Sequence, residues 1–329
     1  MSSSNRRENV ELPFQYPMFS TYHYQASAGI VAKGNPTSDN WYFNYAIQIQ
    51  CQAEFSKDGS PVINLAGKCS NIWQIPFIDK IYYKTQFVNN CAREIIQSML
   101  EQGYYVEFTG VDDYYVKGKS WYKERHFSHD GLICGVDNNT REYTIAAYDQ
   151  RWVFRPFRTT QKSFFNGVRA IVVNGGNGSF TAIKCKPDLI ELDIPAISRE
   201  LNAYLHPKSD SGETYVFGVE VYPMLYMYFN RLESGETPHE RIDRRIIRLI
   251  WEHKKCMLAR ILMLENHCGL SSEMSEAYAP LVDLADSIRF IYMKYCMKRN
   301  VSLLNTIQGR LKELTEKEAG LLQTLCERI

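Results

Sequence analysis

The chain has 329 residues, of which 45% are apolar, and its 38 basic and 37 acidic side chains leave a net charge of +1. That balance provides no global field to attract nucleic acid or an anionic membrane, while the length suffices for two ordinary domains. Nine scattered cysteines without a C-x-x-C pair point to neither a disulfide framework nor a zinc site, and fit a reducing cytoplasm.

The stretch from Met1 to Glu11 is polar with no apolar run behind it, so neither a signal peptide nor a membrane anchor is expected. Thr21 to Lys33 reads as a helix closed by Gly34-Asn35-Pro36, and Trp41 to Gln52 as a second. Asn90 is placed to cap a helix whose stripe is Ala92, Ile95, Ile96, Met99 and Leu100, with Gly103 ending it. The period then becomes that of strands at Tyr104–Phe108, Gly131–Val136 and Tyr143–Tyr148.

Helical signals return at Asp193. Pro195 sits at a first helical position, and Pro223 opens a segment from Tyr222 to Leu232. Thr237-Pro238-His239-Glu240 combines a capping threonine, a first-turn proline and a glutamate, which predicts a long helix to Gly269 with Ile246, Ile250, Met257, Ile261 and Leu264 on its inner stripe. Ser272–Lys298 and Val301–Leu314 continue the pattern, and Thr315-Glu316-Lys317-Glu318 reads as a capping box for a terminal helix. The expectation is an α+β chain divided into residues 1–190, built on an antiparallel sheet, and residues 191–329, a helical bundle. The apolar stripes of that bundle pack within the chain or across a homodimer.

The most informative stretch is His129-Asp130 followed by Gly131 to Asp137, Asn138-Asn139-Thr140-Arg141, and Glu142 to Asp149. It reads as a hairpin. With Asn138 to Thr140 as the loop, Asp137 faces Arg141, and equal counting along both strands puts His129 opposite Asp149. Opposed Cβ atoms are about 4.5–5.5 Å apart, a separation at which an imidazole donates a ring N–H to a carboxylate. Gly131, Ile133 and Gly135 against Ala147, Ile145 and Tyr143 would then hold the pair in a low-dielectric face.

The His-strand-turn-strand-Asp pattern joins Gln102-Gly103-Tyr104-Tyr105-Val106, Asp112-Asp113-Tyr114-Tyr115, Phe217-Gly218-Val219 and Trp251-Glu252-His253-Lys254-Lys255. Together, over roughly residues 15 to 325, these resemble the papain-like, cysteine-protease-fold acyltransferases and amide synthases of natural-product (antibiotic) biosynthesis. The resemblance implies a papain-like core of helix plus antiparallel sheet, no cofactor and no metal. It also implies an enzyme that moves an acyl group from an acyl carrier protein thioester through its own nucleophile to a small amine, with His129 as base and Asp149 as orienting carboxylate.

In such folds the nucleophilic cysteine starts the first long helix, where the helix N-terminus lowers the thiol pKa and backbone N–H groups form an oxyanion hole. Here Phe19-Ser20-Thr21-Tyr22-His23-Tyr24 has no cysteine. Counting back about three and a half turns from Gly34 brings the nucleophile position to Ser20 or Thr21, with Ser27 a lesser candidate. A cysteine exchanged for isosteric serine is the favoured explanation, beside a natural serine nucleophile and a chain that has lost catalysis.

Cys69 in a loop and Cys91 at a helix start are further thiols to consider, while Cys134 belongs to the opposite face from His129. His126 reads as a loop histidine and His253 as a packing one. Arg244, Arg245, Arg248, Lys254 and Lys255 form either a basic face for an acidic carrier protein or a solvated helix face. The alternatives to amide formation are hydrolysis, by a cysteine peptidase or thioesterase using the same residues, and a non-catalytic ligand-binding relative.

Overall fold

The computed structural model describes residues 9–55, 59–69, 72–88, 90–208 and 214–329. Most of the polar N-terminal stretch, up to Glu8, therefore lies outside the described residues. The strands in chain order are β1 (Val10–Glu11), β2 (Ile49–Gln52), β3 (Ile63–Leu65), β4 (Ile78–Lys84), β5 (Tyr105–Asp112), β6 (Ser128–Asp137), β7 (Glu142–Tyr148), β8 (Phe154–Thr160), β9 (Ser179–Cys185) and β10 (Tyr215–Phe217). The helices are α1 (His23–Ala32), α2 (Ser38–Tyr45), α3 (Thr85–Val88), α4 (Ala92–Glu101), α5 (Gln161–Val173), α6 (Ile194–Leu205), α7 (Val221–Ser234), α8 (Ile246–Cys268), α9 (Glu273–Lys298) and α10 (Ser302–Arg328). Among the described residues no helix is long and apolar enough to cross a membrane.

The chain is α+β and divides into two units that are discontinuous in sequence: Met1–Pro36 with Ile75–Asp188, and Thr37–Gln74 with Leu189–Ile329. The expected boundary near residue 190 is close, but residues 37–74 belong to the helical unit. Hydrogen bonds explain why. Asn40 and Asn44 donate to the carbonyls of Ile190 and Glu191 at 2.8 Å, and buried Arg260 donates to the carbonyls of Tyr42, Phe43 and Ala46. Arg260 thereby caps the C-terminal end of α2, whose last carbonyls have no helical partner. α2 stops at Tyr45, and residues 49–52 are a strand rather than the helical continuation expected.

In the first unit an antiparallel sheet runs β4-β9-β5-β6-β7-β8, with β1 added along β6. Val106, Phe108, Ile133, Ile145 and Ala147 face Ile96 and Leu100 of α4 and Phe164, Phe165 and Val168 of α5 in one buried cluster. Each large apolar side chain so buried contributes about 1.5–3 kcal/mol relative to exposure. Gly131 is required by this packing, since a Cβ there would sit 2.5 Å from the Phe108 ring.

In the second unit, β10-β2-β3 form a small antiparallel sheet accompanied by α2 and α6–α10. The expected helix from Thr237 begins only at Ile246, and Gly269 ends it in the left-handed conformation at φ 67°. The expected break at Thr315 is absent because α10 is continuous; the Thr315 hydroxyl donates to the Leu311 carbonyl at 2.7 Å instead of capping a new helix. Similarly, Cys91 rather than Asn90 occupies the N-cap of α4, without a side-chain cap.

Five helices of this unit meet at one buried ionic centre. Lys254 donates to Glu318 at 2.6 Å, and the same carboxylate accepts hydroxyls from Tyr204 and Tyr278, with Tyr222 at 3.4 Å. Lys254 also reaches Nδ1 of His253, whose Nε2 meets the Ile47 carbonyl at 2.8 Å. His253 is therefore a hydrogen-bonded packing residue, and burial with the adjacent ammonium holds its pKa well below the ordinary value. Lys254→Met leaves a buried carboxylate without its cation, so a loss of about 3–5 kcal/mol in urea unfolding is expected. Adding Glu318→Leu should cost less than the sum of the single changes by more than about 1 kcal/mol, and strict additivity would contradict one coupled network.

Candidate active site

The chemistry-bearing groups of the sheet unit converge where β5, β6 and the start of α1 meet. β5 and β6 pair as Phe108↔Gly131 but as Val111↔His129, so one extra residue is accommodated between Phe108 and Val111. Gly110 absorbs that bulge at φ 67°, in a space where a Cβ would lie 2.7 Å from the Asn177 carbonyl. The chain then turns through Asp112 and Asp113, and each aspartate meets one histidine.

Asp112 Oδ2 is 2.7 Å from Nδ1 of His126, whose ring stacks on Tyr114 at 4.3 Å and whose side chain is 64% exposed. Asp113 Oδ2 is 2.9 Å from Nδ1 of His129, and this aspartate is fully buried. The difference in exposure separates the two pairs. Only the second is shielded enough for the carboxylate to fix a ring orientation strongly. A proton on Nδ1 donates to Asp113 and leaves the Nε2 lone pair as the acceptor.

Asp113 has further partners. The Lys119 ammonium, fully buried, lies 3.3 Å from Oδ1, and the Ser120 hydroxyl donates to Oδ2 at 3.2 Å. Lys119 also donates to the Asp130 carbonyl at 2.6 Å, which ties the 112–120 segment to the first residues of β6. Burial lowers the His129 pKa and the Lys119 charge lowers it further, against the upward pull of Asp113 and Asp130. The imidazole is thus held in its uncharged form, which is the form a general base needs.

His23, the first residue of α1, packs edge-on against His129 with ring centroids 4.4 Å apart, and also against Tyr148 at 5.3 Å. The Tyr148 hydroxyl donates to the Ser20 carbonyl at 2.7 Å, which fixes the chain just ahead of α1. Ser20 and Thr21 are both buried there. Ser27 lies farther along α1, 2% exposed, and its hydroxyl serves Glu107. Burial pushes the Glu107 carboxyl up to about 8, opposed by that hydrogen bond.

The Asp149 expected opposite His129 is directed elsewhere. The centre of the hairpin has the predicted register, Ile133↔Ile145 and Leu132↔Ala146. Its closing loop is one residue longer, with Asp137 facing Glu142, and a bulge between Ile133 and Gly135 restores the count. Yet β7 ends at Tyr148, and the backbone of Lys119 pairs with Asp149. The Asp149 carboxylate accepts from the backbone N–H groups of Arg151 and Val153 at 2.8 and 2.9 Å and from Arg155 at 2.6 Å. Those bonds hold its pKa below the ordinary carboxylate value despite burial. Asp149 builds a turn, and the carboxylate on His129 is Asp113.

Cys134 is buried in β6 with its thiol pushed up to about 12 by burial, Cys91 is exposed at the start of α4, and Cys69 belongs to the helical unit. Of the five cations of α8 and its approach, Arg244 is exposed. Lys254 is buried on Glu318, Arg245 pairs with Asp243, Arg248 pairs with Glu252, and Lys255 lies over the Trp251 ring. Among the described residues no group of three His, Cys, Asp or Glu side chains is arranged to hold a metal ion.

Asp113, Lys119 and His23 are the site residues that sequence reasoning passed over. Asp113 stands in the quoted Asp112-Asp113-Tyr114-Tyr115 motif, so the signal was present; the β5–β6 register that gives it to His129 depends on a bulge at Gly110. No family model matches the chain, and no curated protein matches it as a relative.

His129 should titrate below about 6.5 by NMR. Because the folded value is depressed, folding stability attributable to this group declines as pH falls from about 6.5 toward the folded pKa. Asp113→Asn removes an upward pull and should lower the value further, whereas Asp149→Asn should move it by less than about half a unit. A larger response to Asp149→Asn than to Asp113→Asn would contradict this geometry.

Proposed function

We propose that the sheet unit forms amides by acyl transfer, with His129 as general base and Asp113 as its orienting carboxylate. The observation that carries the reading is the carboxylate-held imidazole of His129 packed against His23, the first residue of α1, which lies two residues after Thr21 and three after Ser20. The α+β architecture with an antiparallel sheet agrees with the resemblance to papain-like acyltransferases, and the acyl carrier protein and amine remain the donor and acceptor which that resemblance implies.

In this reading the Ser20 hydroxyl attacks the thioester carbonyl while Nε2 of His129 takes its proton, and the Asp113 carboxylate stabilises the imidazolium so formed. The C–S bond breaks as His129 returns the proton to the departing thiolate, leaving an acyl ester on Ser20. The amine then attacks that ester, His129 accepts the amine proton, and the same proton restores the serine hydroxyl as the amide leaves. The N-terminus of α1 favours the oxyanion in both steps. Nucleophile, base and carboxylate all belong to one unit.

A serine is a slow nucleophile beside a base of this kind, so Ser20→Cys is the informative variant. Mixed with acyl carrier thioesters and primary amines, it should yield amide by mass spectrometry roughly 10–10³ times faster than the wild-type chain. Free acid as the sole product would establish hydrolysis in place of transfer. The missing thiol at the start of α1 favours one further reading, a ligand-binding protein without turnover. Absence of any acyl-enzyme in both the serine and the cysteine form would support that reading over transfer.

A further inference from the structure

The turn that Asp149 builds has a conspicuous product. Trp152 sits at its tip with φ 60°, a left-handed conformation that costs a bulky side chain free energy and persists only where surrounding bonds over-determine it. They do so here. The Asp149 carboxylate accepts two backbone N–H groups across the turn, Trp152 N–H donates to the Asp149 carbonyl at 2.9 Å, and Asp149 N–H donates to Val153 at 3.0 Å. The result is an indole that is 41% exposed instead of buried in the adjacent core.

A second segment presents a matching surface. Lys123 is also left-handed, at φ 62°, in the loop that carries Trp121 and Phe127. Trp121 meets Trp152 edge to face at 5.2 Å and Phe127 at 6.4 Å, and Phe127 meets the His129 ring at 5.2 Å. Phe127 is 38% exposed. A continuous aromatic shelf therefore leads from solvent to the candidate base. A left-handed turn that holds Trp152 exposed beside an exposed Phe127, with half-buried Trp121 joining them, is not how a surface forms by default, and such patches mark binding sites.

The charge on the shelf selects among ligands. Arg125 lies over the Trp121 and Phe127 rings at 5.7 and 5.8 Å, so the cation–π capacity of those rings is already used by the protein itself. Lys123 and Arg151 are exposed in the same two loops, opposed there by Glu124. A cationic ligand would meet like charge, whereas a planar ring joined to an oxyanion or a polarised carbonyl would stack on the indoles and face the guanidinium.

We infer that Trp121, Phe127 and Trp152 form a specificity shelf for an aryl-acyl group, an aromatic ring bearing its carbonyl or carboxylate toward Arg125 and His129. The reactive role of that carbonyl rests on the acyl-transfer reading, but binding to the shelf does not. Asp149 then acts as a positioning residue for Trp152.

Intrinsic tryptophan fluorescence of the full chain, titrated with benzoate, cyclohexanecarboxylate and benzylamine, tests this without turnover. Benzoate should quench saturably, cyclohexanecarboxylate should bind at least fivefold more weakly, and benzylamine should not saturate. Trp152→Ala should weaken benzoate binding at least tenfold, followed through Trp121, and Trp152→Phe should restore most of it, which separates a lost ring from a disturbed fold. Equal affinity for the aliphatic acid, tighter binding of the amine, or unchanged binding in Trp152→Ala would overturn the shelf. Saturable benzoate binding in a chain that forms no amide would leave the shelf standing and remove the transfer reading alone. Amide formation at equal rates from aryl and aliphatic thioesters would do the reverse.

Discussion

The Asp113 carboxylate is shared between a buried ammonium and an imidazole, and the arrangement of the sheet unit where β5, β6 and the start of α1 meet depends on that sharing. Lys119 offsets the cost of burying the Asp113 charge and at the same time ties β6 to the segment that follows β5, through the Asp130 carbonyl. With its charge so balanced, Asp113 can orient His129 without driving it to the protonated state. The pKa of His129 follows from this competition: burial and Lys119 push it down, and the carboxylate only partly restores it.

The helical unit uses the same device for a different end. Lys254 and Glu318 form a fully buried pair, also beside a histidine, but there the other carboxylate contacts are tyrosine hydroxyls from α6, α7 and α9, and His253 is fixed on both ring nitrogens. A ring with both nitrogens engaged is a structural part. His129 differs because its hydrogen bond to Asp113 uses Nδ1, and the His23 and Phe127 rings pack edge-on against it. Chemical environment, not residue type, separates His129 from the packing histidine His253.

Much of this was legible in the sequence where local rules act alone. The stripe on α4, the strands β5 to β7, the start of α6 with Pro195 in its first turn and the end of α8 at Gly269 follow from periodicity and caps. What failed was decided by tertiary contacts. Arg260 and two asparagines draw residues 37–74 into the helical unit, and continuous packing overrides the Thr315 capping box. The hairpin count was sound at its centre, since the longer loop and the bulge cancel, yet it could not foresee that the Lys119 backbone would pair with Asp149. Asp113 reaches His129 only through the Gly110 bulge, a one-residue irregularity that no alternation pattern announces.

The two aspartates thus divide the work that one was expected to do: Asp113 holds the His129 ring, and Asp149 holds the turn that presents Trp152. Nitrogen-15 NMR of the His129 ring near pH 7 tests that division directly. The account expects a neutral ring protonated on Nδ1 in the wild-type chain and in Asp149→Asn, with the proton redistributed toward Nε2 in Asp113→Asn. A ring protonated on Nε2 in the wild-type chain, or one whose Nδ1 proton depends on Asp149 and not on Asp113, would contradict it.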